Sequence, residues 1–171
     1  MFHPFKSIYN RYFNKGAYIK LTYNYDSMVN LYDYILNHNI PNNILINDIH
    51  TTLLYTKRQL DDYIPSNKLK GIKVTPIKFE VWKTYDGLNC LVLIIENKEL
   101  NILHNHIIKK YNGKHIHDQF IPHITLSYSV GDKFDCNKLP LPDFDLIISN
   151  EIMFDLNKKY LDIRGLYVGI T

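Results

Sequence analysis

Residues 50–56 read HTTLLYT and residues 123–129 read HITLSYS, so the chain carries the pattern His-x-Thr-Leu-x-Tyr-[Ser/Thr] twice, 73 residues apart. Each stretch is short and rich in β-branched and aromatic residues, which is typical of a β-strand. A lone His-x-Thr occurs by chance in many proteins. A longer pattern that recurs once in each half of the chain indicates instead that the two copies serve a common site.

The spacing within each copy puts the histidine beside the threonine. Successive residues of a strand point to opposite faces, so His50 shares a face with Thr52, and His123 shares one with Thr125. A pseudo-two-fold axis between the halves would bring both pairs to one cleft. The leucines and tyrosines of the pattern are expected to point into the packing behind the strands: Leu53, Tyr55, Leu126 and Tyr128.

Two imidazoles that face each other across a phosphorus atom suit the cleavage of a phosphodiester without a metal ion. One histidine takes the proton of the attacking oxygen while the other gives a proton to the leaving oxygen. The threonine hydroxyls, with Lys57 and Arg58 nearby in the sequence, are candidates to hold the non-bridging oxygens and to stabilise transition-state charge. The sequence leaves open which histidine is the acid and which is the base.

Around these motifs the sequence predicts strands next to strands, with one helix inserted in each half. The helices are predicted at about residues 26–39 and, from an asparagine cap to a glycine stop, at residues 97–113. Pro76 is expected at an edge or a break of its strand. The predicted strands are residues 17–23, 49–56, 71–85, 88–96, 121–130, 144–156 and 160–168. This order indicates an α+β fold in a single domain over residues 1–171, with residues 1–16 as an N-terminal arm.

Composition and charge exclude several classes of protein. The chain is 46% apolar and 22% charged, which supports a packed core and excludes a disordered protein. Its net charge of +3 is small for a protein that coats duplex DNA. Cys90 and Cys136 lack metal-site spacing and are expected to be free thiols. We find no secretion signal and no apolar run of about 20 residues, so we expect a cytoplasmic protein with no membrane contact. Nothing in the sequence leads us to infer an obligate protein partner.

The other histidines do not make a convincing metal site. His104 and His106 belong to the letters HNH, but residues two apart on the predicted helix point about 200° apart and cannot bind one ion. His115, His117 and Asp118 could share a face of an extended segment, but no further ligand lies at a suitable spacing, which favours an ordinary loop. We therefore expect no metal and no cofactor.

With its two His-x-Thr motifs the sequence resembles the 2H phosphoesterase superfamily, which is named for them. The resemblance implies a bilobal, pseudo-two-fold α+β fold, with antiparallel sheets around a central cleft and a helix in each half. Within this superfamily the chain resembles the anti-CBASS nucleases of phages. The similar stretches are residues 15–18 (KGAY), 50–58 (HTTLLYTKR), 89–92 (NCLV), 122–128 (PHITLSY) and 142–151.

Such nucleases degrade cyclic di- and trinucleotide messengers that activate bacterial antiviral effectors. The resemblance therefore implies a cyclic oligonucleotide as substrate and the cytoplasm of the host cell as the place of action. The family chemistry implies attack of a ribose 2′-hydroxyl on the 3′–5′ phosphodiester, and a 2′,3′-cyclic phosphate that becomes a linear product with a 3′-phosphate. The resemblance also implies that Tyr18 and Trp82 sandwich an adenine base and that Glu151 binds its edge.

The sequence is also compatible with two other functions. One is a 2H enzyme that acts on the 2′,3′-cyclic phosphate ends of linear RNA. The other is a nucleotide-binding sponge that kept the cleft and does not cleave, although the presence of both motif histidines, His50 and His123, argues against it.

Overall fold

The structure is a computed structural model that describes residues 16–112, 114 and 119–156. Most of the N-terminal arm and the predicted last strand at residues 160–168 lie outside the described residues. The same is true of the expected glycine stop, Gly113, and of the residues considered for metal binding, His115, His117 and Asp118.

The described part of the chain forms six strands and two helices. In chain order these are β1 (Ala17–Tyr23), α1 (Tyr25–Asn37), β2 (His50–Thr56), β3 (Lys73–Lys83), β4 (Asn89–Glu96), α2 (Lys98–Tyr111), β5 (His123–Ser127) and β6 (Leu146–Asp155). Short 3₁₀ turns occupy Ile46–Asp48 and Cys136–Lys138. Each predicted element within these residues is present, so the α+β class with one helix in each half is confirmed.

Local chemistry explains where the elements begin. The side chain of Asn24 caps α1 by accepting a hydrogen bond from Ser27 N at 2.9 Å, so the helix begins one residue earlier than predicted. The predicted cap of α2, Asn97, accepts from Glu99 N at 2.8 Å. β5 begins at His123 rather than at residue 121, because Pro122 has no N–H to donate to a neighbouring strand.

The strands form one antiparallel sheet in the order β2-β1-β6-β3-β4-β5. If β1 is exchanged with β4, β2 with β5 and β3 with β6, the same order results, read from the other end of the sheet. This equivalence of the two halves is the predicted pseudo-two-fold symmetry. Within the sheet, the halves β2-β1-β6 and β3-β4-β5 meet where β3 pairs with β6, through Lys73 with Ile147 and Val74 with Leu146. Pro76 lies at the register shift where β3 passes from β6 to β4, so the predicted break is confirmed.

The sheet bends so that its two end strands, β2 and β5, lie close to each other. One face of the sheet packs against α1, α2 and their connections, and it contributes fully buried residues such as Ile19, Leu21 and Leu93 to a single large core. The other face carries the motif histidines and threonines. The bend therefore places both motifs on one concave surface, which we call the cleft face. In the described residues no helix is long and apolar enough to cross a bilayer.

Candidate active site

Both His-x-Thr pairs lie on the cleft face, each on an end strand of the sheet. His50 and Thr52 alternate with the buried Thr51 and Leu53 in β2. His123 and Thr125 alternate with buried neighbours in β5 in the same way. A positive charge on His123 lowers the pKa of His50, so the two imidazoles are within electrostatic range of each other. The structure thus brings together the four residues that the sequence singled out.

The two imidazoles are anchored in the same way. The Nδ1 atom of His50 lies 2.6 Å from the carbonyl oxygen of Asp48, and Nδ1 of His123 lies 2.7 Å from that of Ile121. A carbonyl oxygen only accepts, so in both rings Nδ1 carries the proton and donates it. The Nε2 atoms are therefore the ones that can exchange a proton with a ligand.

Tyr18 joins the first pair. Its hydroxyl lies 2.8 Å from His50 Nε2 and 3.0 Å from Thr52 Oγ1. With His50 neutral, Tyr18 donates to Nε2 and accepts from the threonine hydroxyl. The second half has Cys90 at the corresponding position of β4, and its thiol is hydrogen-bonded to Thr125. Burial raises the pKa of Cys90 to about 11, which keeps it a neutral thiol.

A β-bulge in each motif strand corrects one sequence prediction. Leu53 and Leu126 have no cross-strand partner, because the register shifts by one residue there, and both side chains are buried in the core as predicted. A bulge reverses the alternation of faces beyond it. Tyr55 therefore lies opposite Tyr18 on the cleft face, with the two ring centroids 6.1 Å apart. Tyr128 likewise packs with the cleft-face side chains of β4. The prediction that the motif tyrosines point behind the strands was wrong for Tyr55, whereas Tyr128 also packs against the main core.

Each bulge is supported from the opposite half of the chain. The carbonyl oxygen of Leu126 accepts a hydrogen bond from Ile44 N at 3.1 Å. The carbonyl oxygen of Leu53 accepts from Nδ1 of His104 in α2 at 2.7 Å. His104 is 4% exposed and stacks on Phe120 with a centroid distance of 4.0 Å, and burial lowers its pKa. Sequence reasoning treated His104 as part of a misleading HNH string and missed this supporting role.

Trp82 lies beside the second histidine. The ring centroids of Trp82 and His123 are 4.6 Å apart with planes inclined by 65°. The indole N–H donates to a carboxylate oxygen of Glu80 at 2.6 Å, and the other oxygen of Glu80 pairs with Lys78 at 2.7 Å. Tyr18 is 8% exposed and packs beside His50. Both proposed base-binding aromatics thus lie on the cleft face, one next to each histidine.

The structure does not bring Glu151 together with the histidines. Its cross-strand partner in β1 is Leu21, so its side chain lies on the core side of the sheet, where it is 5% exposed. The carboxylate accepts from the hydroxyl of Tyr63 and, at 3.2 Å, from both the backbone N–H and the hydroxyl of Ser66. Asn67 accepts from Glu151 N at 2.8 Å. These contacts hold the segment after β2 against β6.

We therefore expect Glu151→Ala to lower the free energy of unfolding by about 1–3 kcal/mol, because it leaves buried donors without an acceptor. Urea unfolding measures this loss, and Glu96→Ala, at the exposed end of β4, is the matched control. Unchanged stability together with weaker binding of adenine nucleotides would instead favour the base-reading role that the resemblance implies.

The environment of His50 disfavours its charged form. Burial and the positive charges of Lys20 and His123 lower its pKa from 6.5 to about 4, although Asp48 opposes the shift. Tyr18 is the other titratable group in contact with the ring. His50 is therefore neutral at physiological pH, with Nε2 free of a proton.

This pKa predicts a pH dependence of stability. Between about pH 6.5 and about pH 4 the unfolded chain binds a proton at residue 50 that the folded chain does not. Stability relative to His50→Asn should be constant above about pH 6.5 and fall by about 3 kcal/mol as the pH drops to about 4, since a tenfold change in proton affinity is about 1.4 kcal/mol. Urea unfolding across this range measures it, with the exposed His106→Asn as control. Parallel curves for wild type and His50→Asn would contradict the prediction.

Cys90 and Cys136 are free thiols, as expected. Within residues 16–112, 114 and 119–156, no group of three or more His, Cys, Asp or Glu side chains is arranged to hold a metal ion.

Comparison with known sequences identifies relatives over most of the chain. Residues 15–162 match a protein family described as "Anti-CBASS protein Acb1". The Acb1 protein of Enterobacteria phage T4 is 30% identical over 119 residues, which are 70% of this chain and 76% of that protein. The Acb1 protein of Salmonella phage S16 is 26% identical over 119 residues, with the same coverage of 70% and 76%.

Comparison of folds finds crystal structures of E. coli LigT. The crystal structure of E. coli LigT with ATP is similar with a TM-score of 0.58 and 13% identity, over 82% of this chain and 87% of LigT. LigT with 3′-AMP gives a TM-score of 0.58 and 14% identity over the same shares. The bilobal, pseudo-two-fold 2H phosphoesterase fold expected from the sequence is confirmed. With its fold and its sequence in agreement, the chain belongs to the anti-CBASS protein Acb1 family of phages.

Proposed function

We propose that this anti-CBASS protein is a phosphodiesterase that opens cyclic di- and trinucleotide messengers without a metal ion. The observation that supports it most is the pair of His-x-Thr motifs on neighbouring end strands, with each histidine anchored through Nδ1. Each ring thus presents its Nε2 atom to one concave surface, and in the proposal the substrate replaces the Tyr18 hydroxyl at Nε2 of His50. Such a pair provides a proton acceptor and a proton donor for one phosphorus atom.

In the first step a ribose 2′-oxygen attacks the phosphorus of its own 3′-phosphodiester. One imidazole Nε2 accepts the 2′-hydroxyl proton as the new O–P bond forms. The bond from phosphorus to the 5′-oxygen breaks, and the other imidazole gives its proton to that oxygen. Thr52, whose hydroxyl turns from Tyr18 to the substrate, and Thr125 donate hydrogen bonds to the non-bridging oxygens. The products are an opened ring with a 2′,3′-cyclic phosphate and two histidines with exchanged protonation states.

In the second step a water molecule opens the 2′,3′-cyclic phosphate. The histidine protonated in the first step now gives its proton to the 2′-oxygen as the bond from phosphorus to that oxygen breaks. The other histidine accepts the proton of the water. A linear nucleotide with a 3′-phosphate leaves, and both histidines are back in their starting states.

Aromatic side chains on the cleft face supply the binding of the bases. Trp82 beside His123 and Tyr18 beside His50 are the base-contacting residues of the proposal. Stacking of a base on an aromatic ring is worth roughly 1–3 kcal/mol and tolerates different bases. Glu151 remains the proposed reader of an adenine edge only if the segment after β2 moves, since its carboxylate is bonded to Tyr63 and Ser66.

The test is incubation of the purified chain with 3′,3′-cyclic di-AMP in EDTA, followed by mass spectrometry of the products. The expected products are a linear dinucleotide with a 2′,3′-cyclic phosphate and later one with a 3′-phosphate. We expect activity with the chain alone, without another protein and without duplex DNA, because one protomer supplies both motifs of the cleft. The proposed place of action is the cytoplasm of the infected cell. Loss of activity in EDTA with rescue by a divalent metal would refute the two-histidine mechanism.

Two further substrates separate the alternatives. Activity confined to RNA that ends in a 2′,3′-cyclic phosphate would make the protein an RNA-end enzyme. Recovery of unchanged cyclic di-AMP in a fixed ratio to protein would make it a sponge. A panel of cyclic di- and trinucleotides in the same assay ranks its substrates.

A further inference from the structure

Lys20 is a cation on the cleft face that the two motifs do not account for. It lies in β1 directly across from Thr52, and it is two residues from Tyr18 on the same face of the strand. Its side chain is half-buried, and burial lowers its pKa although Asp48 opposes the shift. Its positive charge is felt at His50, whose pKa it lowers. Lys20 therefore lies within electrostatic range of the reacting groups.

The second half of the molecule has no such cation at this position. Val92 in β4 lies across from Thr125 as Lys20 lies across from Thr52, and Val92 is fully buried. An apolar residue thus satisfies the packing at this position of the fold. Packing therefore does not explain why the first half has a lysine at this position.

In the described residues Lys20 forms no ion pair with a carboxylate, and Asp48 acts on it only at a longer range. The four ion pairs within the described residues use other lysines: Lys73, Lys78, Lys83 and Lys138. The ammonium of Lys20 lies 5.6 Å from the ring centroid of Phe154, a weak cation–π contact. A half-buried ammonium with so little compensation is available to an anion.

We propose that Lys20 is a further catalytic residue, whose ammonium binds a non-bridging oxygen of the phosphate on which His50 and His123 act. This rests on the proposed function. A phosphodiester carries one negative charge, which grows on the non-bridging oxygens as the fifth bond to phosphorus forms. The threonines offer only neutral hydroxyls, whereas a cation in a partly desolvated cleft stabilises this charge much more strongly.

Phosphate binding at Lys20 also benefits the proton transfer. In the empty cleft the ammonium opposes a proton on His50. A phosphate oxygen next to the ammonium offsets its charge, so the proton affinity of His50 rises when substrate is bound. Through Lys20, binding of the phosphate therefore raises the proton affinity of His50, which favours its role as proton acceptor.

The experiment compares Lys20→Met, which keeps the length of the side chain, with Lys20→Arg, which keeps the charge. Lys20→Met should lower kcat on 3′,3′-cyclic di-AMP by about 100-fold, the loss typical for one donor to a developing oxyanion. Lys20→Arg should recover most of it. Lys83→Met removes the same charge at the exposed end of β3 and should stay near wild type. A change of less than about threefold in Lys20→Met would overturn the proposal.

Calorimetric binding of adenosine 3′-phosphate tests the same site without turnover. Lys20→Met should weaken its binding about tenfold or more and Lys20→Arg much less, because the probe presents a phosphate without needing the chemistry. Equal binding by wild type and Lys20→Met would overturn the inference. If wild type binds this probe through Lys20 but leaves every cyclic nucleotide intact, the proposed function fails and the phosphate site at Lys20 stands.

An NMR titration of His50 separates binding from a purely electrostatic effect. In Lys20→Met the pKa of His50 should rise, since one of the charges that lowers it is gone. If that pKa rises while kcat and adenosine 3′-phosphate binding stay at the wild-type level, Lys20 acts on His50 alone and the proposal is wrong.

Discussion

Replacing His50 or His123 with alanine should lower kcat on a cyclic dinucleotide by about 10²–10⁴-fold, while the dissociation constant of the dinucleotide changes by less than about threefold. Each imidazole moves a proton in the transition state, a contribution of typically 10²–10⁴-fold. Each ring is held in position by a backbone carbonyl of its own half, so removing one imidazole should not displace the other. Single-turnover kinetics and equilibrium binding measure the two quantities separately.

His106→Ala, at an exposed position of α2, is the matched control and should be fully active. The double variant of His50 and His123 should be little worse than either single one, because residues that act as a unit are strongly non-additive. A single variant that keeps more than about a tenth of wild-type kcat, with an unchanged melting temperature, would show that its histidine is not a proton-transfer group.

Trp82→Ala should weaken binding of cyclic di-AMP by about 10- to 100-fold, the equivalent of about 1–3 kcal/mol for one stacked base. The indole lies on the cleft face beside His123, and its N–H is already used by Glu80, so the ring face is what it offers to a ligand. Trp82→Phe should restore most of the affinity because a phenyl ring still stacks. Equilibrium binding is measured with Trp82 variants that also carry His50→Ala, because this second substitution prevents turnover during the measurement.

Tyr85→Ala is the control for loss of an aromatic ring near the same strand. Tyr85 follows β3 and is 95% exposed, so its loss should leave binding unchanged. Equal weakening by the two substitutions, or a collapse of the melting temperature in Trp82→Ala, would contradict a stacking role for Trp82.

The order of elements and the two His-x-Thr pairs could be read from the sequence because both depend on local periodicity. Alternation within a strand fixes which residues accompany His50 and His123, and the order of strands and helices repeats in the two halves. The bulges could not be read this way. They depend on the register between strands distant in sequence, and a shift of one residue moved Tyr55 to the cleft face.

The surroundings of the site show the same limit. The role of Lys20 depends on Thr52 being its cross-strand partner, and the place of Glu151 depends on which face of β6 it occupies. A resemblance assigns a role to a residue by its position in the sequence. An error of one position along a strand is enough to move the assigned side chain from the cleft to the core. His104 was missed for a different reason, since nothing in α2 reveals that its partner is the carbonyl oxygen of Leu53.

The crossed support of the two bulges makes the halves depend on each other. Cutting the chain at the exposed turn Asp86–Gly87 would leave one fragment with the carbonyl of Leu53 but without its donor, His104, and the other with the carbonyl of Leu126 but without the N–H of Ile44. Each fragment would hold a complete His-x-Thr motif, but the bulge of its motif strand would lack its hydrogen-bond donor. The two similar lobes are thus one cooperative folding unit, in which fragments are expected to regain activity only by complementing each other.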